Sequence, residues 1–234
     1  MSNDKGEIFM KITFLGQAGF LLEKNDKKIL IDPYLSDNVK NVNPKNYRRQ
    51  PIDEQFLKIE PDVIVITHAH LDHYDKETLK HYFKEDSKIS VLSPTSVWKD
   101  VKDYGGDNNY ILFNVLTSVS LYGLEFTAVK AEHSDEYAIG VVVKDENDAY
   151  YFTGDTLYNE NIFRTLPTKR FKAVFLPING VGNNMNVIDA VKFVKKLKTQ
   201  KVVPCHFGLF DNMTGYEFFV KGTVVPQIYK EIEL

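Results

Sequence analysis

Short runs in which apolar and polar positions alternate dominate the first part of the chain, the period-two pattern of half-buried strands. Met10 to Leu15, Phe20 to Glu23 and Lys28 to Ile31 are separated by Gly16 and by the Asn25-Asp26 pair, which predicts an antiparallel meander with tight turns. A polar, proline-punctuated stretch from Asp37 to Pro51 follows. The pattern then changes, because Val63-Ile64-Val65-Ile66 is apolar throughout, as expected of a strand covered on both faces. From about Asp75 the spacing becomes i, i+3, i+4 at Leu79, Tyr82 and Phe83, which predicts a helix. Ile89 to Leu92 reads as a strand and Thr95 to Tyr104 as a helix stopped by Gly105-Gly106.

The second half repeats this grammar. Strand-like runs at Tyr110 to Val115, Leu124 to Lys130, Ala138 to Val143 and Tyr150 to Thr153 precede a helix near Asn159 to Leu166 and a strand at Ala173 to Pro177. Asn186 then opens the clearest helix as its N-cap, with Asp189 at N3 and Val187, Val191 and Val194 on one stripe. A last buried strand, Lys201 to Pro204, runs into His206. Two successive sets of strands followed by helices predict an α/β fold of two mixed sheets packed face to face with helices outside. No internal sequence repeat is strong enough to establish a duplication.

A length of 234 residues fits one domain spanning 1–234. The 43% hydrophobic and 26% charged residues are those of an ordinary soluble chain. Because 29 Lys plus Arg face 32 Asp plus Glu, no global field would gather nucleic acid or an anionic membrane. The N-terminus, Met1 to Glu7, is polar, and no apolar run approaches a spanning length, so a cytoplasmic location is expected. The single cysteine, Cys205, excludes an intramolecular disulfide and a multi-cysteine zinc site.

Histidine changes the picture. His68-Ala69-His70-Leu71-Asp72-His73 follows the buried strand directly and carries four metal-ligating side chains in six residues. At this composition such a cluster arises by chance in roughly 3 of 10,000 chains of this length. A loop leaving a strand end can turn His68 and His70 to one side and Asp72 and His73 to the other, serving two adjacent ions. Imidazole and carboxylate ligands suit Zn²⁺ first, with Mn²⁺ or Fe²⁺ as alternatives. His133, Asp155 and His206 also sit in loops just after apolar strands, where a rigid scaffold holds catalytic groups.

These segments resemble the metallo-β-lactamase superfamily of metal-dependent hydrolases. Phe14 to Phe20, Ile29 to Pro33, His68 to His73, Thr153-Gly154-Asp155-Thr156 and Pro204 to Gly208 match its motifs in order. Asp32 to Ser36, Tyr47-Arg48-Arg49, Gly154 to Tyr158 and Leu176 to Gly180 are most similar to the L-ascorbate-6-phosphate lactonase-like group. That group's namesake is longer and has a second histidine where this chain has Phe207 and Gly208.

The resemblance implies an αββα sandwich with a dinuclear centre at one edge of the sheets. His68, His70 and His133 would hold one ion, Asp72, His73 and His206 the other, and Asp155 would bridge them. Such a pair lowers the pKa of a shared water toward roughly 7, giving a hydroxide nucleophile that Asp155 or Asp72 could orient and relieve of its proton. Asp32, ahead of Pro33, is placed to accept the N–H of a ligand histidine or to serve a turn.

Of the remaining candidates, Arg48 and Arg49 could receive an anionic substrate group or face solvent. Asn179 opens an Asn- and Gly-rich turn that either forms the pocket rim, as a substrate contact, or simply joins strand to helix. His81 falls off the apolar stripe of its helix and is expected at the surface. Strand alternation turns Cys205 away from the side His206 faces, into the core. The lysines from Lys192 to Lys201 read as a solvated helix face.

The expected activity is hydrolysis of a small, anionic lactone or ester. The alternative is a phosphodiesterase acting on a cyclic nucleotide, phospholipid or RNA. The expected partners are a small-molecule substrate and a second copy of the chain, without nucleic acid or membrane. A flavin-coupled di-iron role is disfavoured because His70 stands where its H-x-E-x-D pattern needs glutamate.

Overall fold

The computed structural model describes residues 9–234; the polar stretch Met1 to Glu7 lies outside them. One sheet has the order β1 (Lys11–Gly16), β2 (Gly19–Lys24), β3 (Lys27–Ile31), β4 (Val63–Val65), β5 (Ser90–Ser93) and β6 (Asn109–Leu112). Its first three strands form the expected antiparallel meander, and β3 to β6 are parallel. The second sheet runs from β7 (Ser118–Leu121) through β8 (Leu124–Lys130), β9 (Ile139–Lys144), β10 (Ala149–Phe152) and β11 (Arg170–Pro177) to β12 (Lys198–Cys205). Here β7 to β10 are antiparallel and β10 to β12 parallel.

Parallel neighbours need crossovers, and these carry the helices α1 (Val39–Val42), α2 (Lys76–Leu79), α3 (Thr95–Val101) and α4 (Val187–Val194). Strand alternation sorts the side chains into layers. Ile12, Phe14, Ile29, Ile31, Val63 and Val65 meet Phe126, Ala128, Val141, Phe152, Phe175 and Val203 between the sheets. The opposite faces pack Leu30, Ile64 and Val91 on Leu79, Val97 and Val101, and Tyr151, Val174 and Val202 on Ala190, Phe193 and Val194. The outcome is the α/β sandwich of two mixed sheets with helices outside that the pattern predicts.

The departures are local. β7 was not expected: Ser-Val-Ser-Leu is a short half-exposed edge strand whose alternation is too weak to stand out. The helix expected from Asp75 regularises only over Lys76–Leu79, with the Asp75 carboxylate accepting from the Glu77 and Thr78 amides. Tyr82 still reaches the outer layer through the following turns, which end where the Ser87 hydroxyl donates to the Lys84 carbonyl. The expected helix at Asn159 to Leu166 is a 3-10 turn over Glu160–Arg164, closed by the Thr165 hydroxyl on the Ile162 carbonyl. Asn186 does cap α4, accepting from the Asp189 amide, but burial centres on Ala190, Phe193 and Val194 while Val187 and Val191 are only partly covered. Another 3-10 turn, Glu54–Lys58, interrupts the loop between α1 and β4. His81, Lys192, Lys195 and Lys196 are exposed, and Cys205 is buried between the sheets, as read from the pattern. Among the described residues no helix is long and apolar enough to cross a membrane.

Candidate metal centre

Seven side chains from separate strand ends converge at one edge of the sandwich. His68, His70, Asp72 and His73 follow β4, His133 follows β8, Asp155 follows β10 and His206 follows β12. The ligand atoms of His68, His70, His133 and Asp155 lie within 4.8 Å of one another, and so do those of Asp72, His73 and His206. The His68 ring centroid is 4.7 Å from that of His70, 4.4 Å from His133 and 4.0 Å from His73, and His73 is 5.6 Å from His206. Asp155 stands between the groups, with Oδ1 3.2 Å from His73 Nε2 and Oδ2 3.1 Å from His206 Nε2.

Local backbone makes this convergence possible. Gly154, at φ +61°, has no room for a side chain: a Cβ would lie 2.6 Å from the Ile139 carbonyl oxygen and 3.2 Å from Thr67 Cβ. Gln17, Asp32 and His206 adopt the left-handed region without being glycine, at φ +55°, +42° and +56°. Each costs about 1–2 kcal/mol and is held by its surroundings. The His206 amide donates to the Gln17 carbonyl at 2.6 Å and the Asp32 amide to the Val65 carbonyl at 3.0 Å. Strain of this kind concentrates at functional sites.

Hydrogen bonds orient the imidazoles. The Asp32 carboxylate, 1% exposed, accepts from the Thr67 amide at 2.8 Å, the Thr67 hydroxyl at 2.5 Å and His73 Nδ1 at 2.8 Å. With its proton committed to Asp32, the Thr67 hydroxyl is an acceptor for His68 Nδ1 at 3.0 Å. Both rings therefore carry a proton on Nδ1, which leaves Nε2 as the atom turned toward the cluster and available to a metal. Asp135, which the sequence reading passed over, ties the His70 loop to the His133 loop by accepting from the Ala69 amide and the Ser96 hydroxyl. His133 differs, since its Nδ1 accepts the Asp135 amide at 3.0 Å, so ligation through Nε2 requires its ring to give up that contact.

Charge follows this geometry. Burial, reinforced by the neighbouring histidines, pushes His68 well below the usual histidine range and His133 down to about 4, so both rings are neutral. Burial also opposes charge on His73 and His206, yet the carboxylates prevail: Asp155, Asp32 and Asp72 raise His73 far above its usual value, and Asp155 and Asp72 lift His206 to about 9. Burial likewise disfavours the ionised carboxyls of Asp72 and Asp155, but His73 and His206 hold both below the ordinary carboxylate range. The centre is thus carboxylate-rich and stabilises positive charge.

The buried atoms His68 Nε2, His73 Nε2, His133 Nε2 and Asp155 Oδ1 have no hydrogen-bond partner. Buried polar atoms are rarely left unpaired. Here several face one another, all of ligand type, as a site that holds divalent metal requires.

The cluster opens into a cavity of about 260 Å³, at the small end for a ligand pocket. Asn179 lies on its wall, with Nδ2 3.0 Å from His206 Nδ1. Two wall residues went unnoticed as candidates. Gln17 Nε2 donates to Asp72 Oδ2 at 2.8 Å, and Asn184 Nδ2 donates to Asp155 Oδ2 at 3.0 Å. A non-glycine residue flanked by Gly16 and by Ala18-Gly19 was the available signal for Gln17, and membership of the Asn- and Gly-rich turn that Asn179 opens was the signal for Asn184.

Arg48 and Arg49 are not brought to the wall. The Arg48 guanidinium donates to the Tyr34 carbonyl and the Tyr229 hydroxyl, each at 2.8 Å, and lies over the Tyr34 ring. Arg49 hydrogen-bonds Asn212 and lies over the Tyr47 ring. Spacing alone could not reveal that both guanidiniums are occupied in loop packing.

Comparison with known proteins agrees with the geometry. Residues 11–206 match the model of the Beta-lactamase superfamily domain. The chain is 26% identical over 212 residues to a UPF0173 metal-dependent hydrolase of Methanopyrus kandleri, covering 86% of this chain and 85% of that one. It is 30% identical over 213 residues to a UPF0173 metal-dependent hydrolase of Thermococcus kodakarensis, covering 85% and 84%. Among solved structures, a metallo hydrolase of Ignicoccus hospitalis superposes with a TM-score of 0.72 at 21% identity, over 95% of this chain and 97% of that one. The buried histidine and carboxylate cluster, the two-sheet sandwich that carries it and these matches together make the chain a metal-dependent hydrolase of the β-lactamase superfamily.

Proposed function

We propose that the protein hydrolyses a lactone or ester bond of a small molecule with two divalent cations, Zn²⁺ in preference to Mn²⁺ or Fe²⁺. The supporting observation is the set of unpaired buried ligand atoms that face one another at the base of the cavity. In this reading His68, His70 and His133 hold one ion, Asp72, His73 and His206 the other, and Asp155 lies between them. Such ions supply Lewis acidity toward the substrate oxygen and lower the pKa of water.

The chain's own residues perform the remaining work. Asp32 and Thr67 fix the proton of His73 and His68 on Nδ1, keeping each Nε2 lone pair inward. Asp72 is the more open of the two central carboxylates, its side chain 15% exposed against 6% for Asp155, so it is the better placed to take up a proton from the nucleophile. Gln17 holds the Asp72 carboxylate by its Oδ2 and leaves Oδ1 free for that transfer. Asn184 performs the same orienting role on Asp155.

The test is metal analysis of the purified protein, followed by turnover of lactone, ester and phosphodiester panels with Zn²⁺ or Mn²⁺. Two ions per chain and acyl-bond cleavage are expected. His70 is exposed, so His70→Ala leaves the fold intact while metal content falls and turnover drops by at least about 100-fold. Unchanged metal content in that variant refutes the ligand set, and phosphodiester cleavage without acyl cleavage would transfer the site to the other reaction class.

A further inference from the structure

The cavity wall restricts what the substrate can carry away from its scissile bond. Beyond the metal cluster it is formed by the apolar side chains of Val39, Val181 and Phe210, by neutral amides including Asn179 and Asn184, and by Asp211. Among the described residues no lysine or arginine lines it. The arginines nearest in sequence to the wall residue Asn46 are committed elsewhere, Arg48 to Tyr34 and Tyr229, and Arg49 to Asn212 and Tyr47.

Asp211 adds negative charge to the wall, and its Oδ1 is held by the Gly208 and Met213 amides at 2.7 and 2.9 Å. With the two divalent cations of the proposed function in place, Asp32, Asp72, Asp155 and Asp211 balance their charge, so the loaded site offers no surplus to a second anionic group. An anion placed against this wall would lose its water without gaining a cation, since the amide nitrogens of Asn179 and Asn184 already face His206 and Asp155. A neutral polar group would meet the amides of Asn179 and Asn184, and an apolar one would meet Val39, Val181 and Phe210.

Building on the hydrolase reading, we propose that the substrate is a small uncharged molecule and that this wall selects against compounds bearing a carboxylate or phosphate remote from the scissile bond. The selection is one of charge rather than size, so a neutral compound and its anionic isostere must separate.

The experiment compares three rigid methyl benzoates that differ only at the para position: 4-carbamoyl (neutral), 4-acetyl (neutral) and 4-carboxyl (anionic). With the Zn²⁺-loaded protein, kcat/KM for both neutral esters, each divided by that ester's rate constant for hydrolysis by free hydroxide to remove the para group's electronic effect, is expected to exceed that for the anion by at least tenfold. Val181 is 69% exposed, so Val181→Lys places a cation at the rim without disturbing the fold and should narrow the gap by at least threefold. Equal or faster cleavage of the 4-carboxyl ester by the unmodified protein overturns the inference and leaves the hydrolase reading standing. If none of these esters and no member of the lactone and ester panels is cleaved, the acyl-hydrolase reading fails instead. The same three compounds, then stable ligands, are titrated calorimetrically, and tighter binding of the anion overturns the charge selection on its own.

Discussion

Asp32→Asn removes one charge and leaves nearly every atom in place, which makes it the sharpest probe of the centre. The carboxylate accepts three hydrogen bonds, from the Thr67 amide, the Thr67 hydroxyl and His73 Nδ1. An asparagine keeps the first through its oxygen but presents its NH₂ to the other two. His73 can satisfy that group only as an acceptor at Nδ1, which moves the ring proton to Nε2, the atom 3.2 Å from Asp155 Oδ1. The electron pair that the proposed metal needs is then occupied.

Loss of such a supporting carboxylate costs about 10- to 100-fold in metal affinity, or roughly 1.4–2.7 kcal/mol. Exchanging charge-assisted bonds for neutral ones costs the metal-free fold a further 1–2 kcal/mol or so. Competition against a chromogenic chelator measures the first effect, and urea unfolding in excess chelator the second. Adding Zn²⁺ should stabilise the variant less than the unmodified protein by roughly the same 1.4–2.7 kcal/mol at saturating metal. Zn²⁺ affinity within twofold of the unmodified protein would refute the argument, because it would mean that Asp32 does not set the His73 tautomer.

Two further outcomes follow from the packing. Cys205 lies between the sheets with its thiol pushed far above the usual range by burial, so Cys205→Ala should leave metal content and turnover unchanged while thiol reagents label the unmodified protein only on unfolding; altered metal stoichiometry would restore the sulfur as a ligand. Burial disfavours the ionised Asp145 carboxyl, but the Lys24 ion pair and the Asp148 and Asn147 amides outweigh it and lower its pKa, so its contribution is present above the unfolded value of about 3.9 and is lost as pH falls through the lower folded value. Lys24→Met should therefore flatten that acid limb of the stability curve in urea titrations from pH 5 to pH 2, and an unchanged limb would contradict the assignment.

The sequence pattern carried much of the fold and most of the centre because both depend on local regularities. Period-two runs reported the strands, the continuous run Val63 to Ile66 reported burial on both faces, and the tight His68 to His73 spacing can be read without knowing any other part of the chain. Cys205 could be separated from His206 by alternation alone. Elements whose form depends on neighbours escaped. The edge strand β7 has little hydrophobic contrast, and the helix after Asp75 stops early where the His81 and Tyr82 amides bond the Thr78 and Leu79 carbonyls three residues back and tighten the turn.

The chain alone therefore established which chemistry was available, through the number, type and spacing of ligands placed after apolar strands. Tertiary structure decided what surrounds that chemistry. It brought Gln17 and Asn184 onto the central carboxylates, set the tautomers through Asp32 and Thr67, and turned Arg48 and Arg49 away from the cavity. The reason is physical: ligand identity is a property of a side chain and its local spacing, whereas orientation, desolvation and wall charge arise only when strands far apart in sequence end at the same edge.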